Sequence, residues 1–346
     1  MAKVDYKTMI TLVTIRFVMS LIGIMGNMFL VFVIFQTKIS RIKSFEVFLL
    51  GLAVSNLEEL VVVDFYEVIM LIGHIQNSLL CRTMKFLNLL GEVSSILFTV
   101  LICVFRYQKL RDAEKRGNAP IFLDSRKSAW VVSGLCMLLS VMLGLPVYFV
   151  RIDTHVEADN GTSCSPDFFQ CHEHFCPPLN RFYKYLFLVS CNLLPLLAVT
   201  VSSSLIVKVL LGQKRVVAPA LGASGPPGKK SKGPRLQRST VGILTAMGVF
   251  QIDWTMYLVF HLAFSPVNVP LWGDIEFFIT TSYTTLSPYV YGIGYDLFSL
   301  RYFIKRLEES TEACGLTRRH ATVGICCNYI SRRKSSSGYI QAIERC

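Results

Sequence analysis

The sequence predicts an all-α membrane protein: a seven-transmembrane helix bundle followed by a short amphipathic cytoplasmic helix. Three observations carry that prediction. Of 346 residues, 52% are hydrophobic and only 17% charged, with a mean hydropathy of +0.48, against about 25% charged in a water-soluble chain. Apolar runs repeatedly pass the ~18 residues that a helix needs to cross a bilayer. They are continuous, unlike the ~10-residue alternating segments of an outer-membrane barrel. A soluble enzyme fold, a disulfide mini-scaffold and a disordered chain are poor readings of the same composition.

In chain order the spans fall at 8–35, 45–72, 83–105, 128–150, 183–211, 239–264 and 271–294. Glu58, Glu59, Asp64 and Glu67 interrupt the second, so they must face a cavity or partners instead of lipid. Its halves, 47–57 and 60–72, are too short to cross separately. Beyond the seventh span, Leu297, Leu300, Ile304 and Leu307 recur at helical spacing on one side, with Arg301, Lys305 and Glu308 on another. That pattern predicts a helix lying on the inner leaflet. Residues 1–295 are therefore expected to form the membrane domain, and 296–346 the amphipathic helix and a disordered tail, where Cys314, Cys326 and Cys327 are candidates for palmitoylation.

Orientation follows from the short loops. The first carries Lys38, Arg41 and Lys43 without an acid, and Lys208 to Arg238 holds eight basic residues without an acid. Loop 151–182 is acidic, with Asp153, Glu157, Asp159, Asp167 and Glu173 against Arg151 and Arg181. The amino terminus is expected outside and the tail inside, with the first span serving as an uncleaved targeting signal. The net charge of +12 flanks the spans and needs no nucleic acid. The linker at 212–238 is rich in Gly and Pro and lacks the spacing of a phosphate loop.

The acidic loop also contains the sequon Asn160-Gly161-Thr162 and three cysteines, Cys164, Cys171 and Cys176, while Cys81 begins the third span. An exterior site permits glycosylation of Asn160 and oxidation of the thiols. Four cysteines allow three pairings. The expected one joins Cys81 to Cys164 and leaves Cys171 to Cys176. A metal site in 171–176 is the alternative, though that spacing matches no usual zinc pattern.

Single residues inside the spans narrow the class further. The first span carries Gly26-Asn27, the second Leu52-Ala53-Val54-Ser55-Asn56, and the third ends Phe105-Arg106-Tyr107. The fourth has Trp130, the fifth Pro195, and the seventh Ser287-Pro288-Tyr289-Val290-Tyr291. Together, over nearly the whole chain, these resemble the helix signatures of rhodopsin-like G-protein-coupled receptors, and Cys81 precedes Arg106 by the interval expected in that family. Phe105-Arg106-Tyr107-Gln108-Lys109-Leu110, the Ser-Pro-aromatic seventh helix and a sequon just before Cys164 look like the vomeronasal type-1 receptors, and most of all their fish relatives, the olfactory receptor class A-related receptors. The sequence departs from the broad pattern at Phe105, where an acid is usual, at Asn56 in place of an acid, at Ser287 in place of an asparagine, and in a sixth helix without its proline. Asn56 argues against sodium-linked regulation.

The resemblance implies a plasma-membrane chemosensory receptor without cofactor or catalytic activity. It would bind a small odorant or pheromone in an outward-facing pocket and activate a heterotrimeric G protein of the inhibitory type. It assigns activation and coupling to Arg106, Tyr107, Asn56, Pro195, Pro288 and Tyr291. Chemistry supplies the reasons. A guanidinium near the membrane edge needs carbonyls, Tyr hydroxyls or a partner protein to satisfy its donors. Proline frees a helix carbonyl that neighbouring side chains can satisfy, leaving a kink or a hinge. Without an acid at 105, one resting-state restraint on Arg106 is missing, so basal signalling is expected to be high.

At the outer end Glu59, Asp64, Glu67, Glu92, Asp253 and Glu276 lie in or near apolar spans and should line a polar cavity. Glu92 sits about 16 Å along its helix from Cys81 at ~1.5 Å per residue, near mid-membrane. Asp253, Trp254 and His261 occupy a comparable depth on the sixth span, and Tyr283 and Thr284 on the seventh. With Glu59 and Lys85 these are the candidate ligand contacts. Arg16, Arg82 and Lys85 are available to neutralise some of the acids. Unpaired carboxylates would favour a cation or hydrogen-bond donor, and dominance of Lys85 and Arg82 at the mouth an organic anion.

Other functions lack their chemistry. The seventh span has no lysine for a retinal Schiff base, and no H-E-x-x-H or G-x-S-x-G motif serves a hydrolase. A small-molecule transporter with a seven-helix core is the alternative, disfavoured because the prolines do not divide the spans into repeats.

Overall fold

The computed structural model describes residues 6–36, 42–72, 78–115, 122–150, 169, 177–217, 233–264, 269 and 271–294. Among them there is no strand. The helices are α1 (Tyr6–Phe35), α2 (Ser44–Ile72), α3 (Ser78–Lys115), α4 (Arg126–Gly144), α5 (Pro178–Phe187), α6 (Leu194–Val217), α7 (Gly233–Ala263) and α8 (Trp272–Gly294). A π-helical turn at Leu188–Leu193 joins α5 to α6, so the two make one fifth crossing. Short 3-10 turns at Phe122–Asp124 and Leu145–Tyr148 flank α4.

Each expected span is a helix in the structure, and the differences at the ends have local causes. The third runs to Lys115 instead of 105, because Gln, Lys, Leu, Arg, Ala and Glu after Tyr107 are strong helix formers although not apolar. The fourth leaves the α-helix at Gly144 and finishes in a 3-10 turn containing Pro146, whose ring removes a backbone donor. In the fifth, the Leu194 N–H reaches back five residues to the Val189 carbonyl, and Pro195, next in line, has no N–H to offer. The proline therefore coincides with a change of helical register. The expected amphipathic helix and tail, 296–346, lie outside the described residues.

Five segments, in α1, α3, α4, α5 to α6, and α7, are long and apolar enough to cross a membrane by length and composition. The other two, α2 and α8, carry the acids and a run of hydroxyls. Packing explains how they stay in the bundle: α2 lies against α1, α3 and α4, and α8 against α1, α2 and α7. Asn56 and Glu59 of α2 are buried, as are Thr281, Thr284 and Ser287 of α8. The outward faces are apolar on these helices too, with Val61 and Phe65 of α2 and Leu286 and Ile293 of α8 exposed, as are Leu21, Met25, Leu135, Leu138, Leu197 and Val201 on the others. A water-soluble surface seldom presents so continuous an apolar face. Trp130 is half exposed on this outer side.

Two glycines let backbones approach. A Cβ on Gly242 of α7 would stand 2.6 Å from the Gly294 Cα of α8, and one on Gly91 of α3 would stand 2.9 Å from the Glu59 backbone nitrogen of α2. Close contacts of this kind are how small residues tighten helix pairs in lipid.

Candidate functional site

A cavity of about 310 Å³ opens at the end of the bundle that carries Cys81. Every crossing except the fourth contributes to its wall: Arg16 from α1, Tyr66 and Glu67 from α2, Lys85 and Glu92 from α3, Phe187 from α5, Tyr257 from α7, and Asp274, Glu276 and Phe277 from α8. Phe169, from the segment between α4 and α5, is buried over it. The Asn180 side-chain amide donates to the Phe169 carbonyl at 3.2 Å, and its ring packs on Tyr183, Phe187 and His261. Cys81 is disulfide-bonded. Its expected partner Cys164, the pair Cys171 and Cys176, and Asn160 all lie outside the described residues.

Charge in this wall is organised. Arg16 sits 3.1 Å from Glu67 and 3.0 Å from Asp274, with its guanidinium carbon 4.4 Å from the Phe277 ring centroid. One cation thus ties α1 to both acid-bearing helices. Glu276 accepts from Trp272 Nε1 at 3.0 Å, and its other oxygen lies 3.3 Å from His261 Nε2, without hydrogen-bond geometry. Glu92 is only 6% exposed, and its Oε1 has no hydrogen-bond partner.

Of the expected ligand contacts, Glu92 and Lys85 line the cavity, and the other six do not. Glu59 is buried behind the wall, where its backbone meets Gly91. His261 stacks on Tyr257 at 4.2 Å and touches the cavity through Glu276. Asp253 accepts from Ser282 Oγ at 2.7 Å, and Thr284 Oγ donates to the Thr281 carbonyl at 2.9 Å. Trp254 and Tyr283 lie deeper, both against Phe250. On α7 the wall residue Tyr257 falls one turn above Asp253 and one turn below His261, and on α8 the wall ends at Thr280, one turn above Tyr283 and Thr284; neither the direction around a helix nor the floor of the cavity is legible in sequence. The residues that do line those helices are Tyr257, Glu276, Phe277 and Thr280. Tyr257, Phe277 and Phe169 carried no motif. Arg16 was detectable as a lone cation inside an apolar span.

Below the cavity a neutral polar core joins four helices. Asn56 Nδ2 donates to Asn27 Oδ1 at 3.1 Å and to Ser287 Oγ at 3.0 Å, while its Oδ1 accepts from Ser95 Oγ at 2.7 Å. Asn27 Nδ2 donates to the Thr284 carbonyl at 3.0 Å. That carbonyl is the one Pro288, four residues on, leaves without a helical donor. Asn27 of α1 therefore satisfies the group that the proline of α8 frees.

A path of side chains continues to the opposite end. Tyr257 packs on Trp254, Trp254 on Phe250, and Phe250 on Tyr283. The Tyr283 hydroxyl is 2.8 Å from Thr99 Oγ and 3.5 Å from the Tyr291 hydroxyl. Tyr291 is fully buried and interacts electrostatically with Arg106. The Arg106 guanidinium lies 4.7 Å from the Phe45 ring centroid, and Phe105 beside it is clasped by Phe45 and Phe48 of α2. Tyr107 is half-buried. Lys109 pairs with Asp124, whose carbonyl accepts from Ser44 Oγ at 2.7 Å, tying the turn before α4 to α2 and α3.

The family model of the seven-transmembrane receptors, rhodopsin family, matches residues 26–291. The chain belongs to that family, as a multi-pass membrane receptor that signals and is not an enzyme. Its partners are accordingly a small-molecule ligand and a G protein, and the family membership favours the receptor reading over the transporter alternative. A search of curated proteins finds no match.

Proposed function

We propose that this receptor is chemosensory, sensing a small odorant or pheromone at the plasma membrane. In this reading the Cys81 end and the amino terminus face outward, and the Arg106 end meets an inhibitory-type heterotrimeric G protein. The observation that carries it is the cavity itself. It is enclosed by six crossings, covered by Phe169, and set at the opposite end from Arg106, with packed rings between. A ligand that binds one arrangement of those rings better than another shifts the population at the far end, and transmission requires nothing else. Cys164 as the partner of Cys81, a Cys171–Cys176 link and glycosylation at Asn160 belong to the same reading. So does the basic balance of the loops, which suits an inner leaflet.

The test is a panel of small organic ligands applied to receptor-containing membranes, read through guanine-nucleotide exchange and, in parallel, uptake. A ligand is expected to raise exchange in the wild type and in Asp253→Asn. Arg106→Ala is expected to bind it and fail to exchange. Uptake without exchange, or exchange indifferent to Arg106, would overturn the proposal.

A further inference from the structure

We infer that the cavity selects a small organic ammonium ion carrying a compact apolar or aromatic body, with Glu92 as its counter-ion. The inference rests on the reading of this cavity as the ligand site and adds the chemical class. The charge balance of the wall comes first. Glu67, Glu92, Asp274 and Glu276 face it, against Arg16 and Lys85 as cations. Arg16 is already shared by Glu67 and Asp274, and Glu276 already takes a proton donor from Trp272. Glu92 differs from these three. It is more than nine-tenths buried, lines the cavity, and keeps one carboxylate oxygen without a hydrogen bond. A buried carboxylate oxygen left without a donor is costly, and a ligand N–H that reaches it recovers a charge-assisted bond.

The surroundings fit the rest of such a molecule. Phe187, Tyr257, Phe277 and Tyr66 line the same space, and aromatic faces attract organic cations as well as apolar bodies. A volume of about 310 Å³ is at the small end of ligand pockets, which suits one ring or a short chain in place of a steroid-sized body. Lys85 stands about 10 Å nearer the Cys81 end of the same helix at ~1.5 Å per residue. An ammonium is therefore directed inward to Glu92 and away from Lys85.

The experiment uses the full receptor in lipid nanodiscs and measures thermal stabilisation and competition binding. The probes are ammonium ions from butylammonium to 2-phenylethylammonium, each beside its neutral alcohol and its carboxylate counterpart. The expected result is at least tenfold tighter binding of an ammonium than of its two counterparts. Glu92→Gln should abolish that preference while leaving the alcohol's affinity within about twofold. Glu92→Asp, which keeps the charge, should retain part of it, and the unliganded melting temperature of each variant reports that it is folded. Leu89 of α3 also lines the cavity, and Leu89→Trp, filling it, should remove all binding. A carboxylate or alcohol that binds best, and is lost in Leu89→Trp, overturns the ammonium class and leaves the cavity as the ligand site. An ammonium preference that survives Glu92→Gln overturns the role of Glu92. Binding of no probe, or binding indifferent to Leu89→Trp, overturns both this inference and the reading it rests on.

Discussion

The bond from Asn27 to the Thr284 carbonyl makes a prediction that single substitutions cannot test and a double-mutant cycle can. In the wild type, Pro288 denies that carbonyl its helical donor and Asn27 Nδ2 supplies one at 3.0 Å. Asn27→Ala leaves a buried carbonyl orphaned, at about 1–3 kcal/mol. It also removes the acceptor of Asn56 Nδ2, a neutral bond between helices of the kind that averages about 0.6 kcal/mol in membrane proteins. The expected loss is about 2–3 kcal/mol. In the Pro288→Ala background, residue 288 has an N–H four residues from Thr284, so the helix itself serves the carbonyl. Asn27→Ala should then cost only about 1 kcal/mol, and the two sites should couple by about 1–2 kcal/mol. Loss of the proline ring against α1 occurs in both Pro288→Ala arms and cancels. Unfolding in lipid nanodiscs or mixed micelles, run on all four proteins, supplies the numbers. Additive costs, agreeing within about 0.5 kcal/mol, would refute the claim that Asn27 serves the carbonyl freed by the proline.

Three further outcomes are expected. Phe105→Asp should lower basal nucleotide exchange per folded receptor, since it gives Arg106 an adjacent carboxylate. It should also reduce stability by about 3–5 kcal/mol, the range for emptying a buried Phe site, because Phe45 and Phe48 clasp that ring; unchanged exchange defeats the argument. Gly242→Ala should lower the melting temperature, because its Cβ meets the Gly294 backbone, at about 1–3 kcal/mol for overpacking. Gly248→Ala, whose Cβ meets nothing within 4 Å, should stabilise by up to about 1 kcal/mol from helix propensity; equal responses of the two would discount close packing. Exchanging sodium for potassium should leave ligand affinity unaltered in the wild type and alter it in Asn56→Asp, as read by competition binding.

Much of the fold was legible because lipid imposes one strong rule: a long apolar run must close its own backbone hydrogen bonds. That rule gave the helices and their order. It also accounted for the acids of α2, which are tolerated because other helices shield them. The ends were less legible where helix propensity outlasts hydropathy, as after Tyr107, or where a proline changes the register, as at Leu188–Leu193. In the site, Glu92 was readable as an intramembrane acid at a calculable depth. Tyr257 and Phe277 were not, because an aromatic residue in a membrane helix looks the same whether it faces lipid, a neighbour or a cavity. The pairing of Arg16 with Glu67 and Asp274 required knowing that α1, α2 and α8 meet, and only tertiary contacts supply that.

The distribution of charge along the bundle constrains how the two ends communicate. Among the described residues, Arg16, Glu67, Lys85, Glu92, Asp274 and Glu276 surround the cavity at one end and Arg106 and Lys109 lie at the other, with Glu59 behind the cavity wall and Asp253 held by Ser282 one turn below Tyr257. The hydrogen-bonded network that runs on toward Arg106 is neutral: Asn27, Asn56, Ser95, Thr99, Tyr283, Ser287 and Tyr291. Asn56 spends its donors on Asn27 and Ser287 and its acceptor on Ser95, which leaves no carboxylate there to recruit a cation. Communication through this region therefore has to proceed by repacking. The element best placed to do so is the ring series Tyr257, Trp254, Phe250 and Tyr283, because cores of interlocked rings change between discrete arrangements instead of deforming smoothly. A ligand bound at Glu92 touches this series through Tyr257, which shares the cavity wall with it. The far end of the series reaches the buried Tyr291 hydroxyl through that of Tyr283, at 3.5 Å, which is the side of the bundle where Arg106 lies.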